Sequence, residues 1–251
     1  MNDFVLVTSM NHRLFMARHQ RVLDSFTRHY PHQRILLFHE NSFDAQNHRG
    51  TVQITHPSIS SFDLFDTNPW LAPFLRDSPF GRCAEIGQKN RRFQNSADYW
   101  NRNSIYWFRK VAALHTSLDL ARTEFLIWAD ADVLFKSRRL DADVGRHSGS
   151  FDACAITRDI PGLATDSGFV IFNLRADGPR LIRALLDAYL GGTAFLLPRW
   201  DDGFVLDHVS RSSNFRVGPL TKRMGSPIDI HRYIKHHKGP LISLRDRHRG
   251  I

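Results

Sequence analysis

The stretch Phe125-Leu126-Ile127-Trp128-Ala129-Asp130-Ala131-Asp132-Val133-Leu134-Phe135 decides the reading of this chain. Five apolar residues in a row, preceded by Glu124, form the strongest strand signal in the sequence, a strand buried on both faces. Asp130 and Asp132 follow at alternate positions, so an extended backbone would point both carboxylates the same way. They stand where strand gives way to loop. In open α/β folds that is the carboxyl edge of the sheet, where ligands bind. Two like charges held so close need neutralising, and a hard divalent cation with oxygen ligands does this while also meeting phosphate. A solvated loop that merely carries two acids is the plainer alternative.

Working outward, Phe4-Val5-Leu6-Val7-Thr8 reads as a buried first strand, and Ile35-Leu36-Leu37-Phe38 as a second, with Val52-Gln53-Ile54 a candidate third. Between the first two, apolar side chains at Leu14, Phe15, Val22, Leu23 and Phe26 predict a helix over residues 14–29, stopped by Pro31. Residues 57–103 look like an irregular insertion, punctuated by Pro57, Pro69, Pro73 and Pro79. Helix is expected again over 104–121, and strands at 153–156 and 168–172. A further helix over 181–190 closes on Gly191-Gly192, and a last one runs from Asp201-Asp202 to about His208. Strands alternating with helices predict an α/β fold with a mixed, mostly parallel central sheet flanked by helices. The expected organisation is one catalytic domain over residues 1–230, followed by a basic, irregular tail over 231–251 that completes the site.

Composition narrows the function classes. With 251 residues, 42% of them hydrophobic, the chain can bury a full α/β core. Cys83 and Cys154 are too few for a disulfide framework and too far apart for a zinc knuckle. The start Met1-Asn2-Asp3 has no basic-then-apolar leader pattern, and no window reaches the roughly 20 apolar residues of a membrane span. A cytoplasmic protein is therefore expected. Its 34 Lys+Arg against 25 Asp+Glu give a net charge of +9, which favours phosphorylated ligands, anionic lipid or nucleic acid. The basic residues gather around residues 89–110 and again over 232–249. The second group suggests peripheral contact with an anionic membrane.

The Asp130-Ala131-Asp132 segment resembles the metal-binding D-x-D segment of GT-A fold (nucleotide-diphospho-sugar transferase) glycosyltransferases, and is especially similar to family-8-type enzymes. Other segments match in order. The helix carrying Tyr106-Trp107-Phe108-Arg109-Lys110 resembles the family helix whose basic residue meets the donor diphosphate. Asp166-Ser167-Gly168 resembles the N-A-G strand beside the donor sugar, Trp200-Asp201-Asp202-Gly203 stands at the D-Q-D position, and His236-His237-Lys238-Gly239 resembles the H-x-x-G segment.

The resemblance implies metal ligands Asp130, Asp132 and His236, holding Mn²⁺ or Mg²⁺. It implies donor contacts from Thr8, Arg109, Lys110, Asp130, Asp166, Ser167 and Lys238, and catalytic roles for Asp202 and Asp201. The expected partners are a nucleotide-diphosphate sugar, foremost a UDP-sugar, and a glycan or lipid-linked acceptor. Asp166 and Asp202 replace the family's asparagine and glutamine, which leaves retention or inversion of the anomeric centre open. Asp202 would be a general base in an inverting enzyme, or would stabilise an oxocarbenium-like sugar in a retaining one. Asp201 and Asp202 also read simply as acids at a helix start. Arg109 and Lys110 are neighbours on one helix, so only one can reach the diphosphate, and the other is expected as a surface charge.

Three other readings are weaker. A haloacid-dehalogenase-type phosphatase also places D-x-D after an apolar strand, but at the start of the chain and followed by glycine and threonine rather than Val133-Leu134. A nucleotidyltransferase needs a glycine-rich loop after the first strand, and Ser9-Met10-Asn11-His12-Arg13 has no glycine. A nucleic-acid-binding protein would suit the charge, but its strongest local signal would then be two carboxylates that repel phosphate.

Overall fold

The computed structural model describes residues 3–16, 20–46, 50–54, 56–80, 97–137, 140–157, 165–221 and 226–236. Its centre is a seven-stranded sheet in the order β3-β2-β1-β4-β7-β6-β8. The strands are β1 (Phe4–Met10), β2 (Arg34–His39), β3 (Ile59–Asp63), β4 (Phe125–Ala129), β6 (Ala153–Ile156), β7 (Asp166–Asn173) and β8 (Val217–Pro219). β1, β2, β3 and β4 run parallel to one another, β6 runs parallel to β8, and β7 lies antiparallel between β4 and β6. Two short strands, β5 (Val133–Phe135) and β9 (Ile234–His236), pair antiparallel as a separate ribbon. The architecture is the expected one: α/β, mixed and mostly parallel, with helices against the sheet.

Alternation along β1 explains why both faces are covered. Val5 and Val7 point into one core with Leu126, Trp128 and Phe172, and the 24-residue helix Ala97–Leu120 packs there through Phe108, Val111 and Leu114. The helices Gly178–Leu190 and Asp202–Ser212 share that layer through Leu181, Leu185, Val205 and Leu206. Phe4 and Leu6 point the other way, into a second core with Leu23 and Phe26 of the helix Gln20–His29. The β5–β9 ribbon closes this side with Val133, Phe135 and Ile234. Each large side chain so buried stabilises by about 1.5–3 kcal/mol.

Register then fixes the site. β1 and β4 pair with Val7 opposite Trp128, so Thr8 and Asp130 emerge at one sheet edge. β7 enters at that same edge, with Ala129 opposite Phe169, which brings Asp166 and Ser167 alongside Asp130.

Several sequence expectations are corrected. Residues 52–54 are no strand. The amide side chain of Asn41 instead accepts from the Val52 N–H and donates to the Val52 carbonyl, occupying both groups a strand partner would need. The third strand is β3, inside the segment expected to be irregular, and helices Leu64–Thr67 and Leu71–Asp77 follow it. Asp63 makes the switch by capping the first of these through the N–H groups of Phe65 and Asp66. The long helix begins at Ala97, within that same segment. The expected helix over 14–29 is present as Gln20–His29, with a turn of helix, His12–Leu14, capped by Asn11 ahead of it; residues 17–19 lie outside the described residues. The tail is not wholly irregular, because β9 lies in it; residues 237–251 lie outside the described residues, as does Cys83. Cys154 is buried, with its thiol pushed up to about 11 by burial. Among the described residues no helix is long and apolar enough to cross a membrane.

Candidate active site

Asp130 leaves β4 in a tight turn: its N–H donates to the Gly168 carbonyl at 2.8 Å, and its own carbonyl accepts from the Val133 N–H at 3.0 Å. That turn delivers the chain into β5, where Val133 lies directly opposite His236 of β9. The pairing brings His236 Nε2 to 3.1 Å from Asp132 Oδ1, and Nδ1 lies 3.5 Å from Asp166 Oδ1. The imidazole rests on the backbone of β7 at Gly168, where any Cβ would collide with the ring. Burial opposes the charge on His236, but its contacts with Asp132 and Asp166 outweigh that and push its pKa up to about 10.

One ligand atom from each of Asp130, Asp132 and His236 can be chosen so that all lie within 4.8 Å of one another. Two carboxylate oxygens and one imidazole nitrogen form a donor set suited to Mn²⁺, and with more carboxylate and water character to Mg²⁺. The residues therefore fit the ion that the sequence resemblance implies.

Beside this set lies a buried ion pair. Lys110 Nζ stands 2.7 Å from Asp202 Oδ2 and 3.0 Å from Asp130 Oδ1, and donates to the Ser167 carbonyl at 2.9 Å. The Trp128 ring lies under the ammonium, 5.3 Å from its centroid, and adds a cation–π contact. Burial disfavours the ammonium, yet the Asp130 and Asp202 carboxylates more than compensate and hold the Lys110 pKa above its ordinary value. Burial pushes the Asp202 carboxyl upward, with Lys110 opposing. Asp202 is the first residue of its helix, and Oδ1 accepts from Ser167 Oγ at 2.8 Å and from the Gly203 N–H at 3.0 Å.

The remaining candidates fall elsewhere. Asp201 is turned to structure: it caps the helix through the Phe204 N–H and pairs with Arg199 at 2.8 Å. Arg109 is buried, not the surface charge expected of the partner of Lys110. It pairs with Glu40 at 2.6 Å and lies over the rings of Phe43, Phe65 and Tyr106. Burial raises the Glu40 pKa, and Arg109 opposes the rise. Thr8 is fully buried, and its hydroxyl has no hydrogen-bond partner among the described residues. Lys238 lies outside the described residues.

Two contributors escaped the sequence reading. Trp128 donates its indole N–H to Asp130 Oδ1 at 2.6 Å, orienting that carboxylate. The signal was present, since residues two apart on a strand share a face. Gly168 was noted only as part of the Asp166-Ser167-Gly168 segment, and its role in seating His236 is visible only in the fold.

No protein-family model matches the chain, and no curated protein matches it. Solved structures do. The glycosyltransferase GlyE of Streptococcus pneumoniae TIGR4 matches with a TM-score of 0.50 and 14% identity, over 89% of this chain and 46% of GlyE. Its apo form gives 0.48 and 13%, over 86% and 44%, and mouse xyloside xylosyltransferase 1 in its apo form gives 0.47 and 13%, over 87% and 85%. This chain thus spans about half the length of GlyE. At such identity the likeness is one of fold, and the fold is the GT-A architecture of glycosyltransferases.

Proposed function

We propose that this chain is a metal-dependent glycosyltransferase that moves a sugar from a nucleotide-diphosphate sugar, foremost a UDP-sugar, to a glycan or lipid-linked acceptor. The observation that carries the reading is the meeting of Asp130, Asp132 and His236 at the sheet edge, beside the Lys110–Asp202 pair. On this fold, a carboxylate-rich sheet edge with a cation's donor set suits a diphosphate donor better than it suits nucleic acid. Mn²⁺ or Mg²⁺ held by Asp130, Asp132 and His236 would neutralise the donor diphosphate and so ease departure of the nucleotide.

The chain's own groups do the rest. Trp128 and Lys110 fix one oxygen of Asp130, which leaves the other for coordination. Lys110 and Ser167 hold the Asp202 side chain in place at the start of its helix. Both Asp202 oxygens are already engaged, by Ser167 and Gly203 on one side and Lys110 on the other. Oδ2 keeps a lone pair beside Lys110, so this bonding leaves both roles open, general base or stabiliser of positive charge on the sugar.

Donor hydrolysis over a panel of nucleotide-sugars, with Mn²⁺ and with EDTA, tests the assignment. The expected result is hydrolysis of one donor class that stops on chelation, and undiminished activity in EDTA would overturn it. Asp202→Asn should lower turnover about 10²-fold with donor affinity nearly unchanged, because its charge acts mainly in the transition state. Wild-type turnover in that variant would remove Asp202 from the chemistry, and product with inverted configuration would make it the base.

A further inference from the structure

Asp207 lies outside every motif described so far, one turn along the helix from Gly203. Residues four apart share a helix face, so Gly203 and Asp207 present one continuous surface. Thr165 lies against it. The Thr165 N–H donates to Asp207 Oδ2 at 2.9 Å, and its hydroxyl donates to Asp207 Oδ1 at 2.5 Å. The Thr165 carbonyl occupies the space where a Cβ at position 203 would stand, so only glycine admits so close an approach. All three polar groups of Thr165 are thereby set against a single helix face.

The next two residues are the corner that joins the halves of the site. Asp166 faces His236, on the side of the metal ligands. Ser167 donates to Asp202 and offers its carbonyl to Lys110. β7 carries a register irregularity against β6 just here, between Ala155 and Ile156, so the sheet ladder alone does not fix the corner.

We infer that Asp207, Thr165 and Gly203 form a positioning clamp that sets the Asp166–Ser167 corner, and through it the placement of Asp202 and His236 relative to each other. The inference rests on the glycosyltransferase reading. Asp207 touches none of the reacting groups and is a positioning residue, acting through Thr165.

The test compares Asp207→Asn, Thr165→Val and Thr165→Ser by Mn²⁺-dependent donor hydrolysis, with Mn²⁺ affinity followed by electron paramagnetic resonance and Tm measured alongside. Asp207→Asn leaves one acceptor oxygen for the two Thr165 donors and removes the charge that strengthens both bonds, and Thr165→Val deletes the hydroxyl bond. Each should lower kcat by about 10-fold while donor KM stays within about 2-fold, the split expected of lost alignment. Thr165→Ser keeps both bonds and should stay within about 2-fold of wild type in kcat. Should Asp207→Asn fail to fold, the Thr165 pair still decides. Wild-type kcat in Asp207→Asn and Thr165→Val overturns the clamp, and so does an equal loss in Thr165→Ser. A wild-type protein that neither binds Mn²⁺ nor hydrolyses any donor removes the glycosyltransferase reading itself. Activity unchanged by the substitutions removes only the clamp.

Discussion

The two halves of the site are built by opposite means. Lys110, Ser167 and Asp202 come from a long helix, a central strand and a helix start; Lys110 and Asp202 are buried, Ser167 partly so, and the two charges compensate one another within the fold. Asp132 and His236 come from a turn and from a three-residue strand late in the chain, and the imidazole lies against both Asp132 and Asp166. One half is complete without a ligand. The other brings three ligand atoms together around a charge that a proton or a cation can supply. Substitutions in the first half should therefore be felt in stability as well as in turnover, and those in the second in activity alone.

The largest expected effect is in the second half. Asp132→Asn should lower metal-dependent turnover by 10²-fold or more while stability changes by less than about 1 kcal/mol, measured by urea denaturation beside donor hydrolysis. A large loss of stability there would erase the contrast. Lys110→Met tests the other half. It leaves Asp130 and Asp202 without their cation and should cost about 3–5 kcal/mol of unfolding free energy, the usual penalty for orphaning a buried charge. A cost below 1 kcal/mol would show that water or a rearranged neighbour reaches Asp202.

Gly168→Ala sharpens the comparison at the boundary between the halves. The added methyl displaces His236, so Mn²⁺ affinity should fall about 10-fold, while the Lys110–Asp202 side keeps its contacts. Unchanged affinity would mean that His236 is not a ligand. The smallest effect concerns residues beyond β9. Arg245, Arg247 and Arg249 predict salt-reversible sedimentation with anionic vesicles, at up to about 1 kcal/mol per charge. No sedimentation at low salt would remove the membrane proposal.

What the sequence disclosed was local. A fully apolar β4 ending in two acids is legible because burial and charge alternate within a few residues. β3 was missed because Ser60 and Ser61 dilute its pattern and none of its residues is fully buried. Val52 misled because its backbone partner is a side chain, Asn41. Lys110 and Arg109 could not be told apart from their own neighbours, since Glu40, which claims Arg109, lies 69 residues away. His236 was found only through resemblance, because a three-residue strand leaves almost no periodicity to read.

The β5–β9 pairing also has a consequence for the order of folding. It joins the middle of the chain to its far end, and closing so long a loop costs entropy that six hydrophobic and polar residues repay poorly. The β1–β4 pairing closes a loop at least as long, yet β1, β2 and β4 are longer and almost wholly buried strands that repay the closure, so the central sheet does not wait for the ribbon. The expected order of folding is hydrophobic layers first and delivery of the imidazole afterwards. In refolding, recovery of the far-ultraviolet signal should precede recovery of Mn²⁺ binding, and chemical competence should arrive last.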